Sequence, residues 1–548
     1  MKKRILSLLI ALVLILCPAL SVVALSPSGE SESYVDVGKG LWELKLGDAY
    51  GYLRDALLRG EERISLASYH LSPTELAELY ETLYYTEAEL FVISSSYSYT
   101  TALDQNVATL LPTYKYGAEE MSEVLADFRA RTDAMIAEMP TGLSPLGRLI
   151  FLYDYLATHF VYQAEDANYD AYGMLVEGNG VCQAYSLLLR YLLRKVGIAA
   201  ECVTSEALNH EWNIVQLGSS WYHVDVTWDD ADDEGALGQV DHEYFLLSDA
   251  AFMAGEHRAF DWVSPISATD TRYDGVFDDV TSRFVFDDNG KIYAVRGKYI
   301  CSYSEQGGFV NLKKIDALRY TAGGQIWSGL FSGLACIGGR LLYNTHSELR
   351  AFDPETETVT CLLSYATTVH SYMYGFWLDS STGRVTCSFK TGANDEQYAV
   401  DTRQIAFTVT WSILGAEYTE LYLYGETPIC KQPTEIPDDR YRFTFLGWDK
   451  TPVPVTDDVV YTAEYEMTEL FSESARELLS CVETAGDEGE SLYARYVALT
   501  RALEIKDDVD LTYEGVPEAL SSLQALVDAY DADAADSVKI FAGWIPLP

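Results

Sequence analysis

Positive charge is scarce in this 548-residue chain: 38 Lys and Arg stand against 83 Asp and Glu, a formal net charge of −45. A surface of that sign repels phosphate backbones and anionic headgroups, which excludes a nucleic-acid binder and a basic membrane-surface protein. Apolar runs that could span a bilayer are missing too. The one candidate, Ile5 to Leu16, falls short of the roughly 20 residues a span needs. It follows Lys2, Lys3 and Arg4 and precedes small residues, the layout of a secretory signal peptide over 1–24, with a cut expected after Ala24 in "SVVALS". Leu16 stands where a lipidation site at Cys17 would want a small residue, and the C-terminal "FAGWIPLP" lacks a sorting-type anchor. The expectation is an exported chain, secreted or loosely held outside, with no membrane span in its mature part.

Export permits disulfides, yet the cysteines do not form a framework. Cys182, Cys202, Cys301, Cys336, Cys361, Cys387, Cys430 and Cys481 are scattered singly, with no C-x-x-C and no zinc-ligand spacing. No D-x-D-x-D-G loop appears, so calcium dependence is not expected. "DDADDEG" at 229–235 is acidic enough to attract cations but reads as a solvated loop. Neither a metal nor another cofactor is predicted.

The length implies several domains. Residues 25–115 mix helix and strand signals: "DAYGYLRDALLRG" and "SPTELAELYETLYY" have helical periodicity, Ser72-Pro73 is a good helix start, and "AELFVISSSYSYTT" reads as a strand. Residues 116–265 read as three helices and then a hairpin: "AEEMSEVLADFRARTDAMIAEM", "SPLGRLIFLYDYLATHF" and a helix beginning at Cys182 and stopping near Gly197 come first. "AAECVTSE", "HEWNIVQL" and "WYHVDVTW" follow as β-rich runs. Residues 270–405 carry short strands in units recurring about every 45–50 residues, a period of propeller blades. Three units are too few to close a propeller, and an open array or a sandwich fits equally. Residues 406–466 are a further β module, and 467–548 read as a helical hairpin or bundle. The fold class is multidomain α+β.

One short stretch concentrates the chemistry. In "GNGVCQAYSLLLRYLL" a cysteine follows a glycine-rich turn and opens an apolar helix. A helix N-terminus favours thiolate over thiol through its dipole and its unpaired N–H groups. Cys182 is therefore a candidate nucleophile, with plain packing as the competing role. Gly178 and Gly180 favour the former, because tight approach of the backbone is needed where something sits beside a helix start. A nucleophilic cysteine also needs a base, and the base an orienting group. "LNHEWNIVQLGSSWYHVDVTWDD" offers His210 and Asp225 on two strand-like segments joined by "LGSS".

Hairpin parity tests whether the two share a face. With a two-residue turn at Gly218-Ser219, a reasonable turn of the primed type, Leu217 opposes Ser220 and Asp225 faces Trp212. His210, Trp212 and Asp225 then lie on one face, whereas a three-residue turn would split them. An acid between valines on a buried strand wants a partner. His223 is the rival base but sits too near Asp225 along its own strand for cross-strand pairing, which favours His210.

These blocks, with "HEYFLLSD", together resemble the bacterial transglutaminase-like domain, a branch of the papain-like cysteine enzymes. The resemblance implies Cys182 as nucleophile, His210 as base and Asp225 as orienting acid. It also implies a helix-borne cysteine packed on an antiparallel sheet. Ala184 departs from the pattern, standing where relatives commonly have glycine. For the oxyanion, the Cys182 backbone N–H is one expected donor, and Tyr172 in "YDAYGML" is a candidate second donor, with plain packing as its favoured role. Trp212 and Trp228 either line the cleft or fill the core. Separately, "FTFLGWDKTPVPVTDDVVYTAEYE" resembles the bacterial repeat module of internalin-type surface proteins, which implies a small β-grasp-like unit at 406–466.

A Cys-His-Asp site makes a thioester from a glutamine or peptide carbonyl. An amine acceptor then gives a crosslink, and water gives deamidation or proteolysis. The lack of clustered zinc cysteines argues against the family's glycan-removing branch. The resemblance thus implies a protein or peptide substrate, cell-surface or cell-wall associated. The rival class is a secreted adhesin whose transglutaminase-like domain serves only as a binding scaffold.

Overall fold

A computed structural model describes residues 37–533 apart from 166, 231–236, 256, 316–317, 321–325, 329–331, 366–371, 391–397, 433–440, 470–472 and 510. The leader-like segment, "FAGWIPLP" and most of the acidic 229–235 run lie outside the described residues. The fold is a mixed helix-and-sheet, multidomain one. It divides into two compact units, one running to residue 377 and including 387–400, the other comprising 378–386 and the chain from 401 onward. No helix among the described residues is long and apolar enough to cross a membrane. No disulfide is formed among the eight described cysteines.

The first unit opens with α1 (Leu41–Leu46), α2 (Asp48–Leu58) and the short strand β1 (Ile64–Ser65). Helix α3 (Pro73–Thr86) begins where Ser72-Pro73 predicts. The Ser72 hydroxyl accepts from Glu75 N, and the Glu75 carboxylate accepts from Ser72 N in return. "AELFV" departs from the strand expectation: residues 88–92 form a 3-10 turn, and β2 (Ile93–Thr101) starts only after it. The run lacks polar alternation and buries Ala88, Leu90, Phe91 and Val92 together, which one tight turn achieves and a two-faced strand does not. Strand β3 (Val107–Tyr114) pairs with both β1 and β2.

Helices α4 (Ala118–Ala137) and α5 (Pro145–His159) follow, the latter capped by Ser144, whose hydroxyl accepts from Gly147 N. After β4 (Val161–Tyr162), α6 (Ala171–Glu177) and β5 (Asn179–Gly180) comes α7 (Cys182–Lys195). Helix α7 packs on a four-stranded antiparallel sheet through β6 (Ala200–Ser205) and β7 (His210–Leu217), followed by β8 (Ser220–Val224) and β9 (Phe245–Leu247). One apolar core draws on residues between Trp42 and Tyr303, taking in α2, α3, α5, α7 and one face of the sheet, while Val203, Trp212, Ile214 and Phe252 pack in a cluster of their own. Beyond it lie two up-and-down four-stranded sheets, at 285–314 and 334–364, whose Tyr293, Ile300, Leu341 and Phe352 share a second core.

In the second unit, strands Ala406–Ile413 and Val459–Glu469 pair in parallel at the centre of a four-stranded mixed sheet, and Trp411 packs with Trp448 and Tyr461 beneath it. Helices Glu473–Gly486, Leu492–Ile505 and Val516–Asp533 form a three-helix bundle with its own core.

Candidate active site

The cysteine is delivered by a tightly built loop. Helix α6 ends at Gly178, whose φ of +78° is the left-handed cap and whose N–H returns to Met174 O. Strand β5 pairs in parallel with β4, and α7 starts two residues later. Gly180 has no room for a side chain: a Cβ there would lie 2.9 Å from Ala184 Cβ and 3.2 Å from Met174 Sδ. The Ala184 methyl thus occupies the space that Gly180 leaves. Val181, the N-cap of α7, provides no side-chain cap, and its carbonyl accepts from Ala184 N and Tyr185 N, so the N–H groups of Cys182 and Gln183 are the ones presented at the helix start. Cys182 itself is only partly covered.

This contact yields a testable coupling. Gly180→Ala is expected to destabilise the protein by about 1–3 kcal/mol through overpacking. Ala184→Gly alone should cost about 1 kcal/mol of helix propensity. In the double variant the two should combine to less than their sum by about 1 kcal/mol, measured by urea unfolding. Strict additivity would mean that the Ala184 methyl is not what excludes a side chain at 180.

The hairpin has the register of a two-residue turn: Leu217 pairs with Ser220 and Asn213 with Val224 around Gly218 at φ +62°. The strand ends at Val224, four residues short of the end of the β-rich run "WYHVDVTW", so Asp225 forms no ladder pair with Trp212. Asp225 instead N-caps α8 (Val226–Asp229), its Oδ1 accepting from Thr227 N at 3.0 Å and Trp228 N at 3.3 Å. Aspartate is among the best N-caps, and here that preference prevails over the β-branched pattern of "HVDVTW". Parity still holds, and His210 Nε2 donates to Asp225 Oδ2 at 2.5 Å.

Both groups are buried, His210 at 9% exposure and Asp225 at 1%. Burial alone would neutralise Asp225, but the charge and hydrogen bond of His210, and then those of His257, outweigh it and hold the carboxyl below its usual range. For His210, burial opposes protonation, while Asp225 and then Cys182 push the imidazole upward. Two indoles favour the same charged form. Trp228 stacks on His210 with centroids 4.9 Å apart and Trp212 with centroids 5.8 Å apart.

Trp212 is held in place by its Nε1–H, which donates to His223 Nδ1 at 3.0 Å. His223 Nε2 in turn donates to Asp249 at 2.9 Å, so the rival histidine serves another carboxylate. Tyr172 is engaged elsewhere: its hydroxyl donates to Asp127 at 3.1 Å, and its ring stacks on Phe91 at 4.6 Å. Its O–H proton is not available to an oxyanion in this arrangement, and of the two roles open to it, packing fits.

Sequence reading did not find His257. Its Nε2 donates to Asp225 Oδ2 at 2.7 Å, the same oxygen that holds His210. No spacing rule places a residue 32 positions downstream of Asp225, beyond α9 (Asp249–Ala254), onto that atom. The signal available was only a further histidine in "GEHRAFDW". Ligand atoms of His210, Asp225 and His257 lie within 4.8 Å of one another, the spacing of a metal site. Both imidazoles, however, converge on one carboxylate oxygen rather than on a common point between the three groups. The cluster is organised around shared protons.

A family model for the transglutaminase-like superfamily matches residues 134–226. Residues 134–226 form a transglutaminase-like domain. The matched span contains Cys182, His210 and Asp225 and stops short of His257. No curated protein matches the chain. Two solved structures from B. thetaiotaomicron are similar over parts: the extracellular domain assigned to a one-component system, at 11% identity over 35% of this chain, and that assigned to a hybrid two-component system, at 9% over 47%. The alignments cover 20% and 46% of those chains, each with a TM-score of 0.16, too low to carry a structural argument.

Proposed function

We propose that this chain is a secreted transglutaminase-like cysteine enzyme acting on amide groups of proteins or peptides, with Cys182 as nucleophile, His210 as base and Asp225 as orienting acid. The observation that carries the reading is the 2.5 Å His210–Asp225 hydrogen bond, made beside a partly covered cysteine at a helix start. With Nε2 engaged by Asp225, Nδ1 is the nitrogen left to take the thiol proton. The leader-type sequence at 1–24 supports export.

In the reaction, Cys182 Sγ attacks the amide carbonyl carbon and forms a C–S bond. The carbonyl oxygen takes the negative charge against the N–H groups at the start of α7. As the C–N bond breaks, the leaving nitrogen takes a proton from His210 and departs as ammonia or an amine, leaving a thioester. Water or a lysine amine then attacks the thioester, gives its proton to His210 and expels the Cys182 sulfur.

The test is iodoacetamide labelling at pH 6, mapped by mass spectrometry, of the wild type and His210→Ala. At that pH an ordinary thiol is well under 1% ionised, and only thiolate reacts. Cys182 is expected to label at least about tenfold faster than Cys481, whose thiol is pushed up by burial, and to lose that lead in the variant. Equal labelling in the wild type would overturn the enzyme reading and leave a secreted binding scaffold.

A further inference from the structure

We propose that His257 is a positioning residue for the catalytic pair, a neutral imidazole whose Nε2–H fixes the Asp225 oxygen that orients His210. The inference rests on the Cys182–His210–Asp225 reading and adds to it a residue outside the matched span.

The argument starts from the carboxylate. An ionised Asp225 only accepts, so both imidazoles must donate, and His257 carries its proton on Nε2. Oδ1 accepts from Thr227 N and Trp228 N, and Oδ2 accepts from His210 and His257. Four donors fill the acceptor sites of the group, so it has no free direction in which to rotate. Removing His257 opens one of those sites in a buried environment.

The second half of the argument concerns charge. His257 is fully buried, with ring centroids 3.7 Å from Trp228, 3.8 Å from Phe252 and 4.8 Å from Tyr244. Its Nδ1 has no hydrogen-bond partner among the described residues, so a proton placed there would be buried and unsolvated. It would also stand beside His210, whose ring centroid is 5.5 Å away. The titratable groups facing His257 are Asp225, His210 and Tyr244, with His223 and its partner Asp249 on the far side of Phe252. Burial, and then the charge of His210, push its pKa down against the pull of Asp225. Only one of the two histidines on Asp225 therefore carries charge, and it is His210. A neutral donor secures the carboxylate without competing for that charge.

The test is the pH profile of Cys182 alkylation in the full chain. His257→Phe keeps the aromatic volume and removes the donor. His257→Gln places an amide N–H close to where Nε2 was, and His257→Asn places one too short to reach. Expected for Phe and Asn is a profile displaced upward by about one pH unit, read as a tenfold loss of rate at pH 6. Gln should stay within about threefold of wild type. If Phe fails to fold, the Gln and Asn comparison decides alone. A wild-type profile in Phe or Asn, or a Gln variant as displaced as Asn, would overturn the proposal while Cys182 stays fast in the wild type. A slow Cys182 in the wild type would remove the catalytic reading itself.

Discussion

Asp225→Ala is expected to abolish acyl transfer and to unsettle the whole first unit. The carboxylate accepts from two imidazoles and two backbone N–H groups, all of which lose their partner at once. Breaking a buried ionic pair by removing one member costs about 3–5 kcal/mol. Loss of the orienting acid in a comparable triad costs about 10⁴ in turnover. Asp225→Asn separates the two effects: its carbonyl can still cap α8, but its NH2 faces two N–H donors. It should lose turnover on a glutamine donor as severely, followed by ammonia release, while losing about 1–3 kcal/mol of stability. An Asn variant retaining a tenth of wild-type turnover would remove Asp225 from the mechanism.

The same pair fixes a pH window. The Asp225 pKa is depressed on folding, so its share of stability is complete above about pH 4 and is lost as pH falls through the lowered value. The His210 pKa is raised, so its share is complete below about pH 6.5 and is lost as pH rises through the elevated value. The Asp225→Ala penalty, measured by urea melts, should therefore plateau between about pH 4 and 6.5 and shrink on both sides. A penalty that keeps growing towards pH 9 would contradict the charged pair.

Arg190→Ala is expected to cost a further 3–5 kcal/mol by a different route. Arg190 lies two turns beyond Cys182 on α7, at 4% exposure. It donates to Glu201 at 2.9 Å, to Thr86 O at 2.6 Å and to Glu87 at 3.4 Å. Its removal leaves Glu201, 1% exposed, without its main counter-charge, and Glu201 also receives Leu41 N at 2.5 Å. Replacing both members, as Arg190→Met with Glu201→Met, should destabilise less than either single change, because no buried charge is then orphaned. A double variant as unstable as the sum of the singles would show that this network contributes more than mutual neutralisation.

Features legible in the sequence were those set by local rules. Ser72-Pro73 and Ser144-Pro145 announce helix starts, Gly218-Ser219 sets the hairpin register, and Gly178 and Gly180 mark the turn before Cys182. Two rules competed at Asp225, strand alternation against helix capping, and capping ended the strand early. His257 and the Tyr172–Asp127 hydrogen bond could not be read, because each depends on distant segments meeting in space. For the same reason the packing of α3 against α7 was invisible: Arg190 gives no sign in sequence of its partners at Thr86, Glu87 and Glu201.

The core drawn from residues between Trp42 and Tyr303 bears on how the proposed site can be inherited or engineered. A cassette cut at 134–226 would carry Cys182, His210 and Asp225. It would leave behind His257, the acceptors of Arg190 at Thr86 and Glu87, and the apolar seats of α2 and α3. Recombination that keeps these contacts together must place its breakpoints outside about 42–303, so the segment that carries them is far larger than the 134–226 span of the family match.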